Sequence, residues 1–294
     1  MPQPPVIAIG GPTGVGKTAL AIKIAQKLNT EIISVDSRQI YSELNIGVGR
    51  PSPEELQSVP HHFIGSHGIH ETFTAKDFQD QARSKAREII QQYGSVVLVG
   101  GTGLYFNAFF NGFDEFSNVS QELRESLNAE LKDNGIEHLS SKLRELDPIG
   151  GSEIDLKNPM RVIRALELIL TQEKPLSEIA VGKSEPFEYK SSMYFLNIER
   201  KDLYSKTDSR VDQMIQNGFL HEAKNLFSHR QLNPLKTVGY TEMFDFFDGN
   251  CSLEEAIEKM KQKTRNYAKR QITWFKNQWN VQEMNATEIL NLIQ

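Results

Sequence analysis

The sequence predicts an α/β protein: a parallel sheet with helical crossovers, interrupted by a helical insertion and completed by a helical C-terminal region. Three observations predict it. Short apolar, β-branched runs alternate with helix-period segments up to about residue 112. That alternation stops near Phe113 and gives way to polar, helical sequence. One further strand-like run then returns, followed mostly by helix. Strand, helix, strand in succession implies parallel pairing, because each crossover brings the chain back in the same direction.

The elements follow in order. Val6–Ile9 is a buried strand that ends at Gly10-Gly11. Lys17–Leu28 has helical spacing, with Ala21, Ile24, Ala25 and Leu28 on one face. Glu31–Val35 is a second strand, ending at Asp36. Ala75–Gln92 is a long amphipathic helix that turns Phe78, Ala82, Ala86 and Ile89 inward. Val96–Val99 is a third strand, ending at Gly100-Gly101, and Thr102 stands where it would cap a helix over Leu104–Phe110. Gln121–Leu131, Glu137–Leu146 and Pro159–Leu170 are helices. Lys174–Tyr189 is looser, with Pro175, Gly182 and Pro186, and Met193–Ile198 is a strand. A long helix runs from Ser252 to about Gln278. Residues 1–112 and 191–294 are thus expected to form one core, with 113–190 as the insertion.

Composition bounds the function. The 294 residues are 38% hydrophobic and 24% charged, as in a soluble globular chain. No apolar run is long enough to span a bilayer, so no membrane partner is expected. The segment Met1–Pro5 is neutral and opens directly into a strand, which does not read as a signal peptide. The single cysteine, Cys251, excludes an internal disulfide framework and a cysteine zinc cluster; it reads as a small filler near a helix start. A cytoplasmic monomer is the expectation. A net charge of −5 argues against a broadly basic nucleic-acid coat but leaves room for a local basic face.

The sharpest motif is Gly11-Pro12-Thr13-Gly14-Val15-Gly16-Lys17-Thr18, placed between a buried strand and a helix. Glycines allow backbone N–H groups to turn around phosphate oxygens, and the helix N-terminus adds partial positive charge. Lys17 supplies a full charge, and the Thr18 hydroxyl is suited to Mg²⁺. A nucleotidase of this type ends another strand with a metal-holding Asp. Here the strand Val96–Val99 ends in Gly-Gly-Thr, so the loop can hold a diphosphate that is not part of ATP or GTP. Asp36 and Thr102 follow parallel strands and should face the loop, because ligands sit at the carboxyl ends of such strands. Asp36 there could bind a metal, accept a proton or cap a turn.

A second candidate region is Lys259–Lys276, with seven Lys or Arg, no acid, and Tyr267, Trp274 and Phe275 interleaved. In an acidic chain this is where RNA phosphates should land, through Lys263, Arg265, Lys269 and Arg270. The competing reading is a solvated face over a packed stripe of Met260, Tyr267 and Trp274. His61-His62 has no carboxylate-rich sequence neighbour and reads as structural or substrate-lining. Phe106, Phe109 and Phe110 could line an apolar pocket or fill the core.

The segments GPTGVGKT, ISVDSRQIYSELNIG, PHHF, VVLVGGTGLY, NPMRVIRALE and YAKRQITWF occur in that order. The chain so closely resembles the bacterial tRNA dimethylallyltransferase (isopentenyl-tRNA transferase) family over residues 6–276. That resemblance implies a P-loop kinase-like core whose loop holds the diphosphate of dimethylallyl diphosphate, with Mg²⁺ as cofactor and the tRNA anticodon stem-loop as partner. It implies transfer of the dimethylallyl group to N6 of the adenine beside the anticodon. Asp36 would be the general base, and Ser37, Arg38 and Gln39 would meet the target nucleotide. Thr102 would sit near the bridging oxygen, and Arg210 would be a second diphosphate-binding cation beside Lys17. Arg124 and the run Met160-Arg161-Val162-Ile163-Arg164 match positions that approach tRNA.

Three stretches depart from the family's usual pattern. They are Ile46-Gly47-Val48-Gly49-Arg50-Pro51, Pro60-His61-His62-Phe63-Ile64-Gly65 and Val238-Gly239-Tyr240-Thr241-Glu242. None touches Lys17, Asp36 or Thr102. No counterpart of the zinc-finger extension of eukaryotic members is expected. A small-molecule kinase would leave the acid-free basic helix and the Gly-Gly-Thr ending unexplained. A non-catalytic RNA-binding module would leave the phosphate loop and Asp36 without a task.

Overall fold

The computed structural model describes residues 4–113, 119–179, 185–279 and 283–293. Met1 to Gln3 and Gly182, which entered the sequence reading, fall outside them. Two compact units emerge: Met1–Gly112 with Pro186–Gln294, and Phe113–Glu185.

The first unit is built on a parallel sheet of β1 (Val6–Gly10), β2 (Ile32–Val35), β3 (His61–His62), β4 (Val96–Gly100), β5 (Ser191–Leu196) and β6 (Glu283–Met284). The order is β3-β2-β4-β1-β5-β6. β1, β2 and β4 are buried along their whole length, which is why their sequences are continuous apolar runs rather than alternating ones. Register sets the site. Gly10 pairs with Gly100, and Val35 pairs with Gly100, so the loops after three central strands leave the sheet at one level.

Helices cover both faces. On one side α1 (Lys17–Leu28) packs Leu20, Ile24 and Ala25 against Ile7, Ile9 and Val97. α2 (Pro53–Ser58) is a short capped turn whose Ser52 and Glu55 form a reciprocal capping box. On the other side α3 (Ala75–Tyr93) and α4 (Gly103–Asn111) bring Phe78, Phe106 and Phe109 onto Val6, Ile33 and Leu98. Burying each such ring contributes about 1.5–3 kcal/mol. Phe106 and Phe109 are fully buried, so the three phenylalanines of α4 belong to the core rather than to a ligand pocket.

The second unit holds α5 (Gln121–Leu146), α6 (Gly150–Glu153) and α7 (Pro159–Gln172). The gap expected between two helices is a break within α5 at Gly135, whose φ of 79° and ψ of 175° are non-helical. Asn158 caps α7, and Pro159 occupies its first turn, where a missing N–H costs nothing. Leu127, Leu139, Leu143, Val162, Ile163 and Leu166 form the unit's core. This corrects one expectation: Val162 and Ile163 are buried at 0% and 4% exposure and present no surface to RNA. Met160, by contrast, is 72% exposed.

The chain re-enters the first unit at residue 186 rather than 191, because Phe187 joins its core and donates its backbone N–H to the Phe110 carbonyl at 2.8 Å. The remaining helices are α8 (Arg200–Gln216), α9 (Phe219–Leu226), α10 (Tyr240–Phe247), α11 (Leu253–Gln278) and α12 (Ala286–Leu292). Val211, Phe219, Tyr240, Met243 and Met260 form a separate cluster with Ile40, Tyr41 and Leu44. Cys251 is partly buried against it, one residue before the α11 cap Ser252. Among the described residues no helix is long and apolar enough to cross a membrane.

Candidate active site

The phosphate loop leaves β1 and turns into α1 through Gly14 and Gly16, at φ of 80° and 98°, a region that costs a residue with a Cβ strain. Gly16 caps α1 without a side-chain hydrogen bond, so the first N–H groups of the helix keep their donors for an anion. The Lys17 ammonium donates to the Pro12 carbonyl at 2.6 Å. Thr18 lines the same cavity, and its hydroxyl has no hydrogen-bond partner among the described residues. A hydroxyl opening onto that cavity is a donor of the oxygen type that Mg²⁺ takes. Among the described residues no cluster of three His, Cys, Asp or Glu could hold a metal by protein ligands alone.

The loop is held from a distance by Gln271 of α11. Its amide oxygen accepts the Thr13 N–H at 2.9 Å, and its amide nitrogen donates to the Gly101 carbonyl at 3.0 Å. One buried side chain thereby ties the phosphate loop to the end of β4. Sequence reasoning missed it, although a signal existed. Tyr267, Gln271 and Phe275 recur at four-residue spacing, so a polar amide stands on the inward stripe of α11.

Asp36 sits at the end of β2 and performs part of the turn-capping role: its Oδ1 accepts the N–H of Arg38 at 2.9 Å and of Gln39 at 3.2 Å. Its other oxygen is left for further chemistry. Thr102 occupies the N-cap of α4 but makes no side-chain cap bond, contrary to expectation. Its Oγ1 instead accepts the Ser37 N–H at 3.0 Å and lies 3.4 Å from the Ser37 hydroxyl, joining the β2 and β4 strand ends. Arg38 donates to the Asn233 carbonyl at 3.1 Å.

Arg210, from α8, donates to the Val48 carbonyl at 3.2 Å, and Gln39 reaches the Gly49 carbonyl at 3.1 Å. The guanidinium lies against the Gly49 Cα, where a Cβ would collide with it, and Gly49 has a φ of 56°. The 46–50 turn is itself pinned by Glu222. That carboxylate accepts the N–H groups of Ile46 (2.8 Å) and Gly47 (2.9 Å) and the Tyr240 hydroxyl (2.6 Å). Arg50 donates to the Tyr41 carbonyl at 2.6 Å, and a Cβ at Gly65 would stand 3.0 Å from its Nη1. Two of the departures from the family pattern are therefore neighbours in space.

Lys17, Thr18, Asp36, Ser37, Arg38, Gln39, Arg210, Tyr267 and Arg270 line a cavity of ≈ 1130 Å³ within the first unit, together with His61 and the 46–50 turn, whereas Thr102 is not in its wall and reaches it only through Ser37. That exceeds the space one small ligand usually occupies. Lys17 is partly reachable along its stem, yet its ammonium lies deep. Desolvation and the nearby Arg210 charge pull its pKa from 10.5 down to about 7, against the opposing pull of Asp36. Desolvation also lowers Arg210, opposed by Asp36. Burial and then the Asp36 charge raise the Tyr267 phenol, which stays protonated beside the carboxylate. Two under-compensated cations and one carboxylate thus share a pocket. That arrangement suits an anion that gains charge while a proton leaves a neighbouring group.

The basic helix is partly answered from other elements. Lys263 pairs with the fully buried Glu242 of α10 at 2.6 Å, and Arg265 pairs with Asp208 of α8 at 2.6 and 2.7 Å. Both cations that were expected to meet RNA phosphates are thus paired with carboxylates of neighbouring helices, although the Lys263 side chain stays half exposed at the cavity. Lys269 and Arg270 are exposed and enter no ion pair among the described residues. Of the stripe beneath, Met260 is core, Trp274 covers Gly103, and Tyr267 opens onto the cavity. In the second unit Glu167, 2% exposed, accepts both Arg124 (2.7 Å) and Arg164 (3.0 Å), while Arg161 is exposed. His62 does have a carboxylate partner, Glu31, 2.6 Å from its Nε2. The pairing was hidden because the two residues meet only across β2 and β3.

Comparison with known proteins adds an independent line. The family model described as IPP transferase matches residues 39–278. A tRNA dimethylallyltransferase of Christiangramia forsetii is 41% identical over 293 residues, covering 98% of this chain and 97% of that one. Another, of Chlorobium chlorochromatii, is 41% identical over 302 residues, covering 100% and 97%. The crystal structure of the tRNA isopentenylpyrophosphate transferase of Bacillus halodurans is similar with a TM-score of 0.72 and 38% identity, covering 99% of this chain and 96% of that one. A eukaryotic dimethylallyltransferase acting on tRNA gives a TM-score of 0.80 at 27% identity, covering 97% and 74%.

Proposed function

The chain belongs to the IPP transferase family, and we propose that it is a tRNA dimethylallyltransferase that moves the dimethylallyl group from its diphosphate to N6 of the adenine beside the anticodon, releasing diphosphate. The observation that carries this reading is the convergence of Lys17, Arg210 and Asp36 on one large cavity at the carboxyl ends of the strands. Lys17, the α1 N–H groups and Arg210 hold the diphosphate. Mg²⁺, held by Thr18, would supply further charge neutralisation to the leaving group. The reaction is a direct displacement. Adenine N6 is a weak nucleophile because its lone pair is delocalised into the ring, so the barrier falls when the leaving charge is stabilised and the N6 proton is removed.

Asp36 takes that proton through the oxygen not engaged in the turn. Thr102 and Ser37, joined by their hydrogen bond, flank the transfer point. The adenine must leave its stack to reach the cavity, which suits a flexible anticodon loop. Solvent-facing cations of α11 and of the second unit meet the RNA backbone. The protein acts as a soluble cytoplasmic monomer.

The test uses labelled dimethylallyl diphosphate and, separately, γ-labelled ATP, each with and without tRNA. Label from the prenyl donor should enter the tRNA, and label from ATP should enter nothing. Transfer from ATP instead would replace the reading with a kinase. Binding of tRNA without transfer of either label would leave an RNA-binding module.

A further inference from the structure

α8 and α11 pack antiparallel, and their facing side chains form a ladder in steps of four residues. On α8 the steps are Arg200, Tyr204, Asp208 and Asp212; on α11 they are Lys269, Arg265 and Lys261. Residues four apart stand one above another on a helix, so each step meets a step. Two rungs are ion pairs. Asp212 meets Lys261 at 2.8 Å, and Asp208 meets Arg265 at 2.6 Å. The next rung breaks the pattern. Lys269 faces no carboxylate but a phenol, its ammonium 5.5 Å from the centre of the Tyr204 ring. On the same phenol lies a second cation: Arg200 donates to the Tyr204 hydroxyl at 2.9 Å, its guanidinium 5.2 Å from the ring centre.

The cations act on the phenol. Burial alone would raise Tyr204, and hydrogen bonds from Lys269 and Arg200 with their charges outweigh it and lower it. Neither Arg200 nor Lys269 enters an ion pair among the described residues, and both are exposed. The acids nearest in sequence do not close the rung. Glu199 is the exposed N-cap residue and makes no cap bond, and Asp202, two residues beyond Arg200, projects from another side of the helix.

Two like charges drawn together on one aromatic ring repel, and an exposed site of this kind is relieved by an anion that both can reach. The first turn of α8 adds N–H groups of the same sign. Both helices also wall the catalytic cavity, α8 through Ser205, Lys206 and Ser209 and α11 through Tyr267 and Arg270. A polyanion with one nucleotide inside that cavity must pass over its rim.

We propose that the open rung, Arg200 with Tyr204 and Lys269, is a docking point for the RNA backbone that seats a phosphodiester while the target base occupies the cavity. The proposal rests on the reading of the chain as an enzyme that acts on tRNA. It separates the cations of α11 into two classes: Lys261 and Arg265 close internal rungs, and Lys269 with Arg200 meets phosphate. The tyrosine fixes the two cations at one height.

The test is tRNA affinity against salt concentration for the parent, Arg200→Gln/Lys269→Gln, Lys261→Gln/Arg265→Gln and Tyr204→Phe, each checked for folding by circular dichroism. For a single-stranded contact each lost cation should flatten the logarithmic salt slope by about 0.7, so the first pair should flatten it by roughly 1.4. That pair should leave dimethylallyl diphosphate affinity unchanged. The second pair should lower the melting temperature and keep the parent slope. Tyr204→Phe should weaken tRNA binding less than the first pair while preserving most of the slope. A folded Arg200→Gln/Lys269→Gln protein with the parent slope overturns the proposal, as does equal flattening by the internal pair. Prenyl transfer to tRNA by the parent reports separately on the functional reading, so a failed docking point and a failed function are told apart.

Discussion

At the scale of single residues, the site divides into groups proposed to meet the reaction and groups that hold them. Asp36 does both, since one oxygen organises the turn and the other is open to the cavity. Asp36→Asn keeps an acceptor for the turn but cannot take a proton. Turnover should fall by about 10²–10⁴-fold with both substrates still bound. Single-turnover kinetics check this, and a rate within a few-fold of the parent would remove Asp36 from the role of base. Lys17 makes a pH prediction. Its pKa is about 7 in the folded chain and 10.5 otherwise, so between those values the unfolded chain holds a proton that the folded one has lost. Stability of the empty protein therefore gains from this group as pH rises through that window. Diphosphate reverses the balance by favouring the ammonium. Binding should take up close to one proton at pH 8 and weaken as pH rises further, measured by calorimetry in buffers of different ionisation enthalpy. Gln271 touches no reacting atom. Gln271→Leu strands the Thr13 N–H and the Gly101 carbonyl, at a cost of about 1–3 kcal/mol each if they stay dry. Dimethylallyl diphosphate affinity should drop and the melting temperature should fall, whereas a merely space-filling glutamine would lower the melting temperature alone.

At the scale of elements, the 46–50 turn belongs to the proposed diphosphate site although no strand or helix contains it. Its Val48 carbonyl orients Arg210, and Glu222 anchors it from α9. Gly49→Ala should displace the guanidinium, because the new methyl group takes its place, and should add backbone strain of about 1 kcal/mol. The Michaelis constant for dimethylallyl diphosphate should rise several-fold with tRNA affinity intact; equal constants would mean that Arg210 is not a diphosphate ligand. Such elements show what is legible in sequence. β1, β2 and β4 were readable because burial on both faces makes an unbroken apolar run, and α1 and α3 because their apolar residues recur at helical spacing. β3 and β6, of two residues each, carry no period and exist only through their neighbours. The split of α5 at Gly135 was readable from local sequence, but the partners of Lys263 and Arg265 were not. Glu242 and Asp208 lie 21 and 57 residues away in sequence and meet the helix only after folding.

At the scale of the whole molecule, a net acidic chain can still present local positive charge to RNA. Within α11, Lys261, Lys263 and Arg265 are paired from α8 and α10, while Lys259, Lys269 and Arg270 are exposed and enter no ion pair among the described residues. The cations proposed to act in the reaction, Lys17 and Arg210, are desolvated in the cavity, where low dielectric strengthens their interactions. The division explains why composition excluded a broad nucleic-acid coat and could not locate the narrow one. Whether this cavity joins a prenyl group to an adenine of tRNA is tested by incubating unmodified tRNA transcript with dimethylallyl diphosphate, Mg²⁺ and either the parent or Asp36→Asn, digesting the RNA, and mapping modified nucleosides by mass spectrometry. The parent should make one adenosine carrying a dimethylallyl group on N6, adjacent to the anticodon, which should be nearly absent with Asp36→Asn. Unmodified adenosine at that position with the parent, or the group on another nucleoside, would contradict the proposed transfer.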